Sequence, residues 1–511
     1  MSPLALLFLG LVLILGGILG LRLHAFLALI VAAMVVSAWT PREAIYASNL
    51  GRSERGVLFP EVALTSPGLV PGEARVEGAP AAMVANHLTA LKRSTTPFPK
   101  RVAEDFGKAC GNFAILIALA GIIGKCLLDS GAAQRVVLSL QRTLGEGRAP
   151  LAFTTSGFIL GIPVFFDTVF FLLMPLGKAL HLRTGKNYLL YILAIVAGAT
   201  MAHSLVPPTP GPLMAASDLK VDLGLMMAGG MVVGLFAVSG GYGYALWANR
   251  RWVIPLRPSA DLTEKDLEAL AHVDDSKLPS LWISLLPILL PVLLIGAGTL
   301  ASVTQSGPAW AVTLFSPFRS GPLAWVTDNQ SALLLSTIIA LGLVWSRSGR
   351  SLEKVADATG TGLVGAGQII LITAAGSAFG AALKSTGLPS VLAGIEAGSA
   401  FFWIPVAYLV TALIRTAQGS ATVAMTTAVS IVAPIVAGVA LPYHPLYLAL
   451  AIGCGSKPIS WANDSGFWLI GRMSGMTEKE TFRTVSVMMI VMSFCGLGAV
   501  LLGAWLLPMV G

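Results

Sequence analysis

Hydrophobic positions in this chain gather into long blocks and do not alternate with polar ones. Apolar runs lie near residues 3–20, 25–39, 109–128, 150–176, 188–217, 222–247, 280–302, 329–346, 359–383, 401–440, 444–470 and 484–508. Residues 223–249, 280–318, 359–383 and 484–511 contain no Asp, Glu, Lys or Arg. A helix crosses the hydrocarbon core of a bilayer in about 20 residues, and a charge-free apolar block of that length is read as such a crossing. The pattern therefore predicts an all-α polytopic membrane protein. Residues 1–21 hold no basic residue ahead of their apolar core, unlike a secretory leader. Residues 1–39 are expected to form two retained spans. Polar stretches at 41–107, 250–279 and 347–357 separate the blocks, and no span is expected in 41–107.

Three features recur in one order at an offset near 254 residues. Ile115–Gly121 resembles Ile370–Gly376. About 45 residues on, Gly161-Ile-Pro-Val-Phe-Phe-Asp167 and Arg415-Thr-Ala-Gln-Gly-Ser-Ala-Thr422 each interrupt an apolar run. About 80 residues on, His203…Pro207-Pro-Thr-Pro-Gly-Pro212 and Gly455-Ser-Lys…Asn463-Asp-Ser-Gly466 each break a span. The chain accordingly divides into a first repeat (1–247, with 41–107 inserted), a linker (248–279) and a second repeat (280–511). Each repeat is expected to hold about five crossing helices, one of them broken, and one re-entrant hairpin, at 150–176 and 401–440.

Unwound backbone at membrane depth survives only where protein or water satisfies its polar groups. Paired interruptions in corresponding places of two halves point to the binding site of a secondary transporter. Five crossings is an odd number, so the second repeat starts on the opposite side and the repeats are inverted. Basic residues support this. The short loops 129–149, 178–187, 248–279, 347–357 and 471–483 hold nearly all of them, whereas 218–221, 303–327 and 384–400 hold only Lys220, Arg319 and Lys384. The first set is expected to be cytoplasmic.

Composition narrows the choice of function. The chain of 511 residues is 55% hydrophobic and only 11% charged, against about 25% charged in soluble proteins. That excludes a soluble enzyme and a disordered chain. The net charge of +8 sits in loops between spans, so no nucleic-acid partner is expected. Cys110, Cys126, Cys454 and Cys495 form no CxxC pair, and the six histidines show no metal-ligand spacing; no metal or cofactor is expected. Gly360-Thr-Gly-Leu-Val-Gly365 matches GxGxxG but lacks the strand a dinucleotide fold needs. No Walker A motif is present, so transport would draw on an ion gradient. A channel would need a continuous polar lining or charged rings, and a membrane-embedded enzyme a nucleophile–base pair. Neither is visible.

Candidate chemistry sits at the interruptions. Asp167 is the only formal charge between Ala149 and Gly177. A carboxylate inside the membrane is costly as an anion and is usually functional, which suits it to carry a proton; a structural helix-capping role is the alternative. Asp464 shares both readings. His203 precedes the first break and titrates in the range of a proton relay. Arg415 is the only formal charge in residues 401–456 and suits an anionic substrate, or pairing with a hairpin carbonyl or with an Asp across the pseudo-twofold. Gly419, Ser420 and Thr422 offer hydroxyls and a free N–H at a hairpin tip; Asn463, Ser204 and Thr209 add polar groups at the breaks. Lys457 stands two residues past Gly455, where it would neutralise substrate or replace a coupling cation. Lys125 and Asp129 are expected to form an edge pair.

The stretches Gly124–Arg135, Gly157-Phe…Phe166-Asp167, His203…Pro212, Arg415…Gly419-Ser-Ala-Thr-Val423 and Asn463-Asp-Ser-Gly-Phe-Trp468 together resemble the gluconate permeases, a family of gluconate–proton symporters within the inverted-repeat ion transporters. The likeness runs from about residue 105 to the C-terminus. It implies proton-coupled uptake of gluconate or a related sugar acid across a bacterial inner membrane, by a multi-pass homodimer with two hairpins. A sodium-coupled carboxylate or D-amino-acid carrier is the alternative within transport. The chain departs from the pattern the resemblance implies at Asp167, Thr209, Lys457 and Trp461, and in the insertion 41–107.

Overall fold

A computed structural model describes residues 1–21, 23–50, 81–257, 278–304, 309–388, 391, 401–461 and 464–509. Among them every regular element is helical. The N-terminal helices are α1 (Pro3–Leu15), α2 (Ala25–Trp39), α3 (Arg42–Ser48) and α4 (Ala81–Thr95). They are followed by α5 (Phe98–Asp129), α6 (Ala132–Leu144), α7 (Ala149–Leu160), α8 (Phe166–Thr184), α9 (Tyr188–Leu205), α10 (Pro210–Asp218) and α11 (Leu223–Arg251). The longer helices of the remainder are α12 (Leu281–Val303), α13 (Asn329–Arg347), α14 (Leu352–Ser385), α15 (Trp403–Gln418), α16 (Ala421–Val436), α17 (Leu446–Gly455), α18 (Ser465–Ser474) and α19 (Val487–Leu506).

Seven helical stretches among the described residues are long and apolar enough to cross a membrane, with α9 and α10 counted as one broken span. Shorter apolar helices are α1, α7, α15, α16 and α17. Large apolar side chains such as Leu293, Val364, Leu413 and Trp505 are exposed on the outside, as a lipid-facing surface requires and a soluble protein would not tolerate. By contrast α9 is buried along nearly its whole length. It is apolar all round, which marks a helix enclosed by other helices.

Two compact units emerge. One combines Met1–Gly111, Leu371–Phe401 and Val429–Pro442. In it α1 packs on α2, and α3 packs on α4 through the Tyr46 hydroxyl to His87 Nδ1 at 2.7 Å. The chain turns by 105° between α2 and α3. Arg101 Nη2 donates to the Ser37 carbonyl at 2.7 Å.

The other unit, Asn112–Ile370, Phe402–Ala428 and Tyr443–Gly511, contains all four interruptions foreseen in the sequence. Its densest packing is between α7 and α9, where backbones meet without side chains between them. A Cβ added at Gly198 would lie 2.1 Å from the Thr154 carbonyl oxygen. The second half repeats this device: a Cβ at Gly455 would lie 2.4 Å from the Tyr408 carbonyl oxygen, joining α17 to α15. Small residues permit this approach, and dispersion between the close backbones holds the helices together where no hydrophobic effect operates. Arg257 holds Glu480 with two parallel hydrogen bonds of 2.6 and 2.8 Å and reaches the Gly475 carbonyl at 2.8 Å.

Two expectations change. The polar residues 98–108 belong to α5, which starts well before the apolar run at 109. The presumed loop 129–149 contains α6, whose inward face is Ala132, Ala133, Val136 and Val137. Both segments are amphipathic or charged helix, which a search for charge-free blocks passes over. Within 41–107, helices α3 and α4 stand where only a polar stretch was read; residues 51–80 lie outside the described residues.

Candidate functional site

Each interruption has a local cause. The α7–α8 hairpin turns at Gly161-Ile-Pro-Val, where the Pro163 nitrogen cannot donate to a continuing helix. The α9–α10 span breaks at Val206-Pro207-Pro208-Thr209, with a cis bond between the prolines. The α15–α16 hairpin turns at Gly419, whose φ of 87° places it in the left-handed region that only glycine enters freely. The α17–α18 span opens between Ser456 and Asp464, where Pro458 removes a donor.

Arg415 sits in the last turn of α15 and is 3% exposed. Its Nη2 donates to Asp464 Oδ2. Asp464 is the N-cap of α18: its Oδ1 accepts the Gly466 N–H at 2.9 Å, and Ser460 Oγ donates to Oδ2. Capping and charge pairing are thus both filled by one carboxylate, and the partner of Arg415 is the Asp of its own half. Ser486 Oγ in turn donates to the Ser460 carbonyl. Trp461 Nε1 donates to the Thr416 carbonyl at 2.8 Å, so hairpin tip and break are tied twice.

Polar capacity is left over here. Arg415 Nε and Nη1 are buried and have no partner among the described residues, as are His203 Nδ1 and the Ser204 hydroxyl. Buried polar groups are nearly always hydrogen-bonded, so each exception asks for an explanation. Lys457, also 3% exposed, stands at the start of the same break, two residues past Gly455. The His203 ring meets Phe165 edge to face at 5.8 Å.

Asp167 lies in the first turn of α8 and acts electrostatically with Asp464. Its neighbour Phe166 lies against Gly466 of the opposite break. The reciprocal contact also exists: Met425 of the second hairpin lies against Gly211 of the first break. The α7–α8 segment therefore touches the second break, and the α15–α16 segment touches the first. Asp167, Trp461 and Ser465 are solvent-accessible beside the buried Arg415–Asp464 pair.

Other sequence-predicted residues fall differently. Thr209 is 3% exposed and its hydroxyl donates to the Val206 carbonyl at 2.8 Å, closing the turn of the break. The Ser420 hydroxyl accepts the Val423 N–H at 3.4 Å, and Thr422 is half-buried on the same tip. Asn463 lies outside the described residues. Lys125 and Asp129 pair at 2.7 Å as expected. Ser460 and Ser486 were not singled out in the sequence, where serines near a break carry no distinguishing signal. Among the described residues no group of three His, Cys, Asp or Glu side chains is placed to hold a metal ion.

Comparison with known proteins follows this geometry. The model of the GntP family permeases matches residues 81–506. A gluconate permease of Pseudomonas aeruginosa is 33% identical over 410 residues, 79% of this chain and 87% of its own. The low-affinity gluconate transporter of Escherichia coli (strain K12) is 30% identical over 403 residues, 77% of this chain and 85% of its own. The Gnt-II system L-idonate transporter of the same strain is 29% identical over 402 residues, covering 78% and 87%. Among solved structures, the YdaH transporter of Alcanivorax borkumensis matches with a TM-score of 0.57 at 14% identity, over 84% of this chain and 91% of its own. That likeness is one of fold.

Proposed function

This chain belongs to the GntP permease family, and on that premise we propose that it is a proton-coupled symporter bringing gluconate or a related hydroxy-carboxylate into the cell. The relatives are permeases, not enzymes. Their names give the substrate class, a sugar acid such as gluconate or L-idonate. The observation that carries the reading is Arg415: a guanidinium held by Asp464 on one side, with Nε and Nη1 left as donors in a buried place at a helix interruption.

The chemistry follows from that arrangement. Asp464 holds one end of the guanidinium through Nη2, so a substrate carboxylate meets donors that are partly oriented. Charge-assisted hydrogen bonds of this kind are about twice as strong as neutral ones. The sugar hydroxyls of the substrate find Ser420, Thr422 and the Ser204 hydroxyl near the interruptions, and Gly419 offers backbone groups there; a role for Asn463 is carried over from the sequence alone. Thr209 shapes the break from behind.

Asp167 is assigned the proton. It is accessible, whereas Asp464 is engaged by Arg415, Ser460 and the Gly466 N–H. An anion entering beside two carboxylates is opposed by their charge; a proton on Asp167 removes half of that opposition. Substrate and proton thus favour each other's binding, which is the thermodynamic requirement for coupling. We assign His203, whose ring meets Phe165 edge to face, a relay role.

We also assign two inverted repeats, with hairpins α7–α8 and α15–α16 entering from opposite faces of a bacterial inner membrane, and a homodimeric assembly. The recurring element order, the reciprocal hairpin-to-break contacts and the one-sided basic loops support the inversion. Uptake of labelled gluconate into proteoliposomes tests the proposal. An inward proton gradient is expected to drive accumulation above equilibrium, and a sodium gradient alone is not. Flux that only runs downhill, indifferent to both gradients, would contradict symport.

A further inference from the structure

The second break carries a large apolar surface that the roles assigned above leave unused. Trp461 is 42% exposed, beside an Arg415–Asp464 pair that is almost wholly buried. Its peptide and its ring are both held. The Trp461 carbonyl accepts the Asp464 N–H at 2.8 Å, and its indole Nε1 donates to the Thr416 carbonyl at 2.8 Å. Asp464 is one member of the buried pair, and Thr416 is the chain neighbour of the other. The indole therefore bridges the break and the last turn of α15, next to the guanidinium. Nε1 is the only polar atom of an indole and it is engaged, so the exposed part of the ring is carbon. Residues 456–461 are unwound. Unwound backbone at membrane depth faces protein or water, not lipid, so this carbon surface belongs to the water-facing side of the break.

We infer that Trp461 is a specificity-determining residue of the transport site: a fixed apolar platform for the C–H face of a substrate's polyol chain, while Arg415 holds the carboxylate. This rests on the sugar-acid reading above and names the part of that class which the site selects. A sugar acid has two kinds of surface beyond its carboxylate. The hydroxyls need polar partners, and the C–H groups between them gain by leaving water. Small-molecule sites combine aromatic walls with a few placed polar groups, and a tryptophan gives a wide, rigid face for the ordering of two χ angles. Here two hydrogen bonds order it in advance. The gain grows with the apolar area covered. A long aldonate covers more of the ring than a short acid does, so gluconate is selected over glycerate, lactate and D-serine. A strut between hairpin and break would use only the Nε1 donor and would leave chain length unread.

Counterflow of labelled gluconate into preloaded proteoliposomes, with unlabelled glycerate, threonate, xylonate and gluconate as competitors, reads this directly. In the unaltered protein the inhibition constant is expected to fall as the chain lengthens. Trp461→Ala is expected to raise that of gluconate about tenfold, the factor that corresponds to losing about 50 Å² of covered apolar surface, and to leave that of glycerate within about twofold. Trp461→Phe keeps a ring face and loses the donor. It is expected to keep the dependence on length, which a strut does not predict, and it carries the test alone if the Ala variant does not fold. A series that is flat in the unaltered protein, flat in the Phe variant or equally steep in the Ala variant overturns this inference and leaves gluconate transport standing. Absence of gluconate counterflow in the unaltered protein overturns the transport reading itself.

Discussion

Asp464 and Arg415 show how unevenly a buried pair responds to change. Replacing Asp464 by Ala leaves a guanidinium in the membrane interior without an anion, and breaking such a pair costs about 3–5 kcal/mol. Thermal unfolding in detergent is expected to show a clear loss of stability. Asp464→Asn keeps a capping oxygen for the Gly466 N–H and should unfold at a higher temperature than the Ala variant while still failing in transport. Arg415→Lys retains charge but not the planar fork, and kcat/KM for gluconate uptake is expected to fall by about tenfold or more. Asp167→Asn is expected to abolish gradient-driven accumulation while sparing exchange of labelled for unlabelled substrate, measured by counterflow. Full accumulation in that variant would remove Asp167 from coupling. At this scale charged groups stood out in the sequence, because an isolated charge in an apolar run has few structural excuses, but their partners did not. The sequence was a poor guide to hydroxyls. Thr209 and Ser460 look alike on paper, yet one closes a turn and the other holds the central carboxylate.

Among the elements, the hairpins and broken spans owe their shape to a few positions. Gly419 ends α15 with φ of 87°. A side chain there meets a left-handed cost of roughly 1–2 kcal/mol, so Gly419→Ala is expected to lower stability by about that much and to move the adjoining Arg415. Gly198 answers to packing. With a Cβ 2.1 Å from the Thr154 oxygen, Gly198→Ala must push α9 away from α7. The expected loss is at the upper end of the 1–3 kcal/mol that overpacking commonly costs, read as reduced unfolding temperature. Interruptions were legible because Pro, Gly and polar residues break a charge-free apolar run. Helices α4 and α6 were not, since their polar faces hide them from a search for membrane blocks. Nor was the early start of α5 at Phe98, where charged residues continue the helix beyond the apolar part.

For the whole molecule, the proposed inverted arrangement predicts a sidedness that labelling can check. In a cysteine-free background, Lys220→Cys is expected to react with a membrane-impermeant maleimide added outside intact cells. Gly349→Cys is expected to react only after permeabilisation. Labelling of both from outside would break the inverted arrangement, since these loops follow α10 and α13, which must end on opposite faces. The stability of such a bundle comes from close backbone contact and internally satisfied hydrogen bonds, because lipid gives apolar side chains no reason to leave it.

Hydropathy and charge, which are properties of the chain, determined that this protein crosses a membrane, that its pattern recurs near an offset of 254 residues, and where its helices are interrupted. They act locally, through the cost of unpaired backbone and unpaired charge in hydrocarbon. Only the tertiary structure decided who meets whom at the interruptions: Arg415 with Asp464, Phe166 against Gly466 and Met425 against Gly211. Those partners lie tens to hundreds of residues apart, and no local energy term brings them together; the packing of whole helices does.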